Sequence, residues 1–238
     1  MATPLDAPDF EVAILGTGFA GLCMAIKLRE TGERRFVLLE RATDVGGTWR
    51  DNTYPGATCD VPSHLYSLSF APNAEWSRTY PTQPELLRYL RSLAADNGLL
   101  PHIRFEHRLE KAEWDGEKRW WRLTTTGGVV TARKVVSGTG GLSEPKNPDI
   151  PGIETFRGTM FHSSRWRHDV DLAGKRVAVI GTGASSIQFV PEIAPVVAHL
   201  DVYQRTPNWI IPRRDRTYSE TTKTLFRAIP ALREAHRK

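Results

Sequence analysis

The 238-residue chain is poor in cysteine: only Cys23 and Cys59 occur, and no C-x-x-C pair joins them. That argues against a redox dithiol centre, and no metal-binding set of residues is read from the sequence. No apolar run reaches membrane-spanning length. The N-terminal MATPLDAPDF lacks the basic-then-apolar order of a secretory leader, so the expected compartment is the cytosol. Nucleic-acid motifs are missing too. The formal charge is +5 and the isoelectric point near 9.4, but the basic residues are dispersed along the chain, which argues against a nucleic-acid partner. A modest positive excess instead suits ligands that carry phosphate. A hydrophobic content of 40% can supply one or two α/β cores.

What the chain does have is a pair of glycine-rich strand-to-helix turns. Gly16-Thr17-Gly18-Phe19-Ala20-Gly21 follows a buried-strand pattern at Phe10 to Leu15 and opens a helical pattern from Phe19 to Thr31. A second apolar strand, Phe36 to Glu40, comes next. In such a βαβ unit the first glycine permits the tight turn and the second lets backbone approach a pyrophosphate. The third allows close packing of helix on strand, so that the helix N-terminus faces the phosphates. Gly181-Thr182-Gly183-Ala184-Ser185-Ser186 repeats the layout, with a strand at Val177 to Ile180, a helix at Ala184 to Ile193 and a strand at His199 to Gln204. Ser186, still small, stands in the place of the third glycine.

Glu40 and Arg205 each lie 24 positions after the first glycine of their unit. A carboxylate at the tip of the second strand accepts hydrogen bonds from free ribose hydroxyls. A guanidinium there binds a 2′-phosphate that a carboxylate would repel. The first unit therefore reads as an FAD site and the second as an NADPH site. The fold expected is α/β, built of two Rossmann-type dinucleotide-binding units with the second truncated.

Between the units the pattern is mixed. A Gly/Pro/aromatic stretch after Asp44 is too irregular for a helix, and long structured loops of this kind tend to be functional. Pro84 to Asn97 reads as a helix with Leu86, Leu87, Leu90 and Leu93 on one face and Gly98 beyond its end. Ile103 to Val136 reads as strands with a turn at Gly127-Gly128, its tryptophans (Trp114, Trp120, Trp121) serving the core or a sheet face. Val135 to Gly141 reads as an apolar strand running into small residues, with Thr139 and Gly140 where backbone returns to the flavin. Pro145, Pro148 and Pro151 punctuate a linker. Ser219 to Arg227 and Ala231 to Lys238 have helical composition. The last of these is basic enough to touch a membrane surface, although a solvated helix is the favoured reading.

Two further motifs carry a resemblance. Gly46-Gly47-x-Trp49-xxxx-Tyr54-Pro55-Gly56-xxx-Asp60 is similar to a fingerprint of Baeyer–Villiger monooxygenases. So is Phe156-x-Gly158-xxx-His162-xxx-Trp166, just before the second glycine turn. With both dinucleotide motifs, the resemblance to the Baeyer–Villiger and flavin-containing monooxygenase superfamily spans essentially the whole chain. It departs at Arg167, where that pattern usually has proline or aspartate.

The resemblance implies an FAD- and NADPH-dependent monooxygenase. In the family, hydride from NADPH reduces FAD, dioxygen adds to give a C4a-peroxyflavin, and one oxygen atom enters a ketone to yield an ester or lactone. A small-molecule ketone and O2 are the partners implied. Related enzymes that oxidise the nitrogen or sulfur of amines and sulfides share the layout, and a non-catalytic dinucleotide-binding remnant is the alternative of another class. The cofactor-binding set is Gly16, Gly18, Phe19, Gly21, Glu40, Gly47, Thr48, Trp49, Asp60, Tyr66, Thr139, Gly140, Gly181, Gly183, Ser185, Ser186, Arg205 and Thr206. Asp60 has an orienting role toward a family arginine that this chain does not reach. Phe156, Gly158, His162 and Trp166 form the linker fingerprint. The domains expected are 1–145 for FAD, 146–174 as linker and 175–238 for NADP. The chain reads as an N-terminal portion, inactive by itself.

Overall fold

A computed structural model describes residues 7–237. The first six residues, on which the leader reading partly rests, and Lys238, the last of the C-terminal helical stretch, lie outside the described residues. By packing the chain divides into two compact units. One takes the chain up to Arg50 together with Leu87–Glu144. The other takes Asp51–Leu86 together with the chain from Pro145 onward.

The first unit is a six-stranded mixed sheet in the order β3-β2-β1-β6-β5-β4. Its strands are β1 (Phe10–Leu15), β2 (Phe36–Leu39), β3 (Ile103–Arg104), β4 (Leu109–Asp115), β5 (Trp120–Thr125) and β6 (Gly128–Ser137). β1 lies parallel between β2 and β6, with Ala13 opposite Val37 on one side and Val135 on the other. Strands covered on both faces read as continuous apolar runs, which is why FEVAIL and FVLL lack alternation. Ala13, Leu15, Val37, Leu39, Leu123, Val130 and Ala132 pack together as the core.

β6 does two jobs. Its first half pairs antiparallel with β5 and its second half parallel with β1, with Ala132 in register with both neighbours. The apolar strand expected from Val135 to Gly141 is thus the end of a longer strand, and it stops at Ser137 because Gly138 turns back into the glycine loops. Trp120 is buried, whereas Trp114 is half exposed and packs against Trp121, its register partner, at 5.6 Å between ring centroids.

Helix α1 (Phe19–Glu30) follows the first glycine turn. The stretch after Asp44, expected to be irregular, holds one short helix, α2 (Thr48–Asp51). Helix α3 (Gln83–Asp96) begins one residue before the expected Pro84. Its start is set by Thr82 and Glu85: the Glu85 carboxylate accepts from the Thr82 N–H (3.1 Å) and hydroxyl (2.9 Å), the returning half of a capping box. Burial pushes the Glu85 carboxyl up, but the Ser77 N–H (2.8 Å) together with the Thr82 donors outweighs it and holds the group below its usual range.

The second unit contains a two-stranded parallel sheet of β7 (Arg176–Ile180) and β8 (His199–Tyr203), with α4 (Ser186–Ile193) between them in sequence. Val179, Phe189 and Ile193 form its core with Tyr54, and Trp166 packs on that core. Ile180, Val202 and Tyr203 stay exposed. Two helices follow, α5 (Glu220–Ala228), capped by the Ser219 hydroxyl on the Thr222 N–H, and α6 (Pro230–Arg237).

Candidate functional site

In the first unit three glycine-bearing loops converge backbone to backbone. A Cβ on Gly21 would lie 1.9 Å from the Gly16 carbonyl oxygen, and one on Gly16, whose φ is +92°, would lie 2.9 Å from that of Gly138. A Cβ on Gly47 would stand 3.2 Å from the Cα of Gly18. The loop of residues 16–21, the Gly46-Gly47 turn and the end of β6 therefore form one cradle with little side chain between them. This fits a dinucleotide, which needs close access to backbone N–H groups at a helix start. Phe19 opens α1 and packs against Tyr89. Trp49 is buried, Thr48 is half-buried, and Thr139 and Gly140 are exposed just beyond β6.

Glu40 stands at the tip of β2 as expected, and it is buried. Its carboxylate is already fully engaged by the protein. One oxygen accepts from the Thr17 N–H (3.0 Å) and hydroxyl (2.5 Å). The other accepts from the Ala42 N–H (3.0 Å) and from the Arg50 guanidinium (2.9 Å). A carboxylate offers about four lone-pair positions, and all are occupied. Glu40 thus braces the glycine turn through Thr17, a partner that sequence pattern did not single out. Arg50 was missed as well, since nothing in its spacing from Glu40 marks an ion pair.

In the second unit the glycine turn is open. A Cβ on Gly181 (φ +101°) or Gly183 would meet nothing within 4 Å. Ser185 precedes α4 without capping it, and the hydroxyls of Ser185 and Ser186 make no hydrogen bond among the described residues. Thr182 is tied down by Gln204 (2.9 Å) and Asn208. Arg205 and Thr206 lie just beyond β8 and are exposed, and Arg205 forms no ion pair among the described residues. Open glycines, unpaired hydroxyls and an unpaired guanidinium on one βαβ turn fit a phosphate-rich ligand.

The two fingerprint segments, about a hundred residues apart in sequence, meet in this second unit. Tyr54 and Trp166 both pack on Phe189 of α4, at 6.0 and 5.2 Å between ring centroids, and Arg165 faces Asp51 at 3.7 Å. Gly56 (φ +73°) has no room for a Cβ, which would meet the Gln188 carbonyl oxygen at 2.9 Å. His162 caps a short turn, its Nδ1 accepting from the Ser164 N–H at 3.1 Å. Phe156 and Gly158 are exposed, and Tyr66 is half-buried. Asp60 is exposed and accepts no hydrogen bond among the described residues. Arg167, the departure from the fingerprint, makes a bidentate pair with Asp169 at the surface.

Residues 13–229 match the family model described as pyridine nucleotide-disulphide oxidoreductase. A Baeyer-Villiger monooxygenase of Streptomyces coelicolor is 55% identical over 226 residues, which are 95% of this chain and 44% of that protein. One from Pseudomonas aeruginosa is 51% identical over 236 residues, 99% of this chain and 45% of that protein. A crystal structure of OTEMO in complex with FAD and NADP superposes with a TM-score of 0.88 at 37% identity, covering 96% of this chain and 44% of that one. The chain therefore spans less than half the length of the relatives it matches. Cys23 and Cys59 are both free, and burial pushes the Cys59 thiol up. The chain belongs to the pyridine nucleotide-disulphide oxidoreductase family, and over less than half of their length it is similar to Baeyer-Villiger monooxygenases.

Proposed function

We propose that this chain is the part of an FAD- and NADPH-dependent monooxygenase that binds and positions both nucleotides, and that the whole enzyme inserts one oxygen atom of O2 into a ketone. The observation that carries the ketone reading is the convergence of both fingerprint segments on Phe189, through Tyr54 and Trp166. The nucleotides divide as 1–145 for FAD and 175–238 for NADP, with 146–174 as the connecting fingerprint. When bound, the flavin supplies oxygen activation and the nicotinamide supplies hydride.

The chain's own residues bind and orient. The backbone N–H groups at the start of α1 and the Gly46-Gly47 turn receive the FAD pyrophosphate. Thr48 and Trp49 lie toward the flavin. Glu40 takes up a ribose hydroxyl as the Thr17 hydroxyl rotates away, since that hydroxyl can turn while its other three donors are fixed in direction by backbone or guanidinium geometry. Ser185, Ser186 and Thr206 hold the NADP phosphates, and Arg205 the 2′-phosphate. Asp60 has an exposed carboxylate that accepts no hydrogen bond among the described residues and would be free to face the nicotinamide. The reading places the chain in the cytosol, supported by its two free cysteines.

The test is product identity. The chain, joined to the remaining length found in its relatives, is supplied with FAD, NADPH, O2 and either a cyclic ketone or a tertiary amine. Ester or lactone from the ketone is expected. N-oxide without ester would overturn the ketone reading, and no NADPH-dependent oxygen uptake at all would leave a nucleotide-binding remnant.

A further inference from the structure

We propose that Gln188 is a positioning residue that sets Asp60 against the nucleotide end of α4. Its side-chain amide clasps both backbone polar groups of Thr58. Gln188 Oε1 accepts from the Thr58 N–H at 3.0 Å, and its Nε2 donates to the Thr58 carbonyl at 3.0 Å. The same Oε1 receives the Tyr54 hydroxyl at 3.3 Å. One amide thus satisfies a segment of backbone as a neighbouring strand would.

The rest of the segment is held with it. The Thr58 hydroxyl accepts from Arg213 at 2.6 Å, Thr58 bridges antiparallel to Thr82, and the Cys59 N–H reaches the Pro81 carbonyl at 2.9 Å. Every polar group of Thr58 is therefore fixed, and the fixed point is two residues from Asp60. Gly56 belongs to the same device, since any side chain there would push the loop off the Gln188 backbone. On the helix, Gln188 lies two residues beyond Ser186 and three beyond Ser185, at the end assigned to the pyrophosphate. A rigid α4 then ties the position of Asp60 to the helix end that would seat the phosphates.

This role rests on the NADP reading above, and its effect passes through Asp60, so the two residues must be coupled. The 238-residue chain loaded with FAD is titrated with NADP+ in four forms: unmutated, Gln188→Leu, Asp60→Ala and the double variant. Gln188→Leu is expected to weaken binding about tenfold, as loss of two amide hydrogen bonds implies, and Asp60→Ala, which removes the group being positioned, by a similar factor. The double variant should be little worse than either single one. Amide hydrogen exchange at Thr58 is followed in parallel and should lose about tenfold protection in Gln188→Leu.

Gln188→Glu supplies a variant of nearly the same shape. Its carboxylate repels the Thr58 carbonyl, while its protonated form restores a donor, so Thr58 protection should return on acidification relative to the unmutated chain at the same pH. Unchanged Thr58 exchange in Gln188→Leu would overturn the clasp. Additive losses of NADP+ affinity would overturn the positioning role. If the unmutated chain binds no NADP+, the functional reading fails and the role falls with it, while the exchange result still reports on the clasp.

Discussion

Replacement of Glu40 by glutamine tests how the glycine turn of the first unit is braced. The carboxylate is 3% exposed and its partner Arg50 has a side chain 14% exposed, so neither is well screened by water. Glutamine keeps the shape but offers one acceptor oxygen and an NH2 that must face N–H donors. Either Thr17 or the Ala42/Arg50 pair then meets a donor instead of an acceptor. Breaking a buried pair while leaving the other charge in place costs about 3–5 kcal/mol. For a chain of this size each kcal/mol lowers the melting temperature by roughly 2–4 °C, so Glu40→Gln should lower the transition of the first unit by about 10 °C. Circular dichroism melts of the two proteins measure it. Adding Arg50→Leu should recover part of the loss, because the stranded cation is gone. A melting temperature within about 2 °C of the unmutated chain, or a further drop in the double variant, would refute the bracing role.

Gly21→Ala should abolish FAD retention, because its methyl would sit 1.9 Å from the Gly16 carbonyl oxygen and push α1 off the strand; flavin absorbance after purification reads it. Phe189→Ala should destabilise the second unit by about 3–5 kcal/mol, since that ring is buried between Tyr54 and Trp166, and denaturant titration measures the loss. His64 gives a pH dependence. Burial first, then repulsion from His236, Arg233 and Arg237, lowers its pKa to about 4 from the usual 6.5, and its ring packs among Tyr218, Phe226 and His236. The unfolded chain takes up the proton earlier, so the contribution is whole above pH 6.5 and is lost as the pH falls toward 4. The loss amounts to about 3 kcal/mol, at about 1.4 kcal/mol per pH unit. His64→Leu should remove that slope from stability measured between these limits.

Local signals were the legible ones. Glycine turns, the apolar runs of β1 and β2, the leucine face of α3 and the helix starts at Ser219 and Ser186 depend on neighbours within a few residues, and each lies within a residue or two of its expected place. Less legible were features set by long-range packing. That β6 runs on past its hairpin with β5 to pair with β1 depends on a register more than a hundred residues apart. That residues 51–86 pack with the second unit depends on Tyr54 and Gln188 meeting across a similar gap. Glu40 is instructive, because its position followed from the βαβ pattern while its four protein donors did not. Thr17 and Arg50 are ordinary residues whose roles exist only once the turn has closed.

The account stands on two nucleotide sites of opposite preference, and the most direct measurement is the affinity of the FAD-loaded chain for NADPH and for NADH, with and without Arg205→Gln. A charge-assisted hold on the 2′-phosphate should favour NADPH by about tenfold or more, and the substitution should bring NADPH down to the NADH value while leaving NADH binding and flavin content unchanged. Equal affinity for the two nucleotides in the unmutated chain, or a preference for NADPH that survives the loss of Arg205, would contradict it.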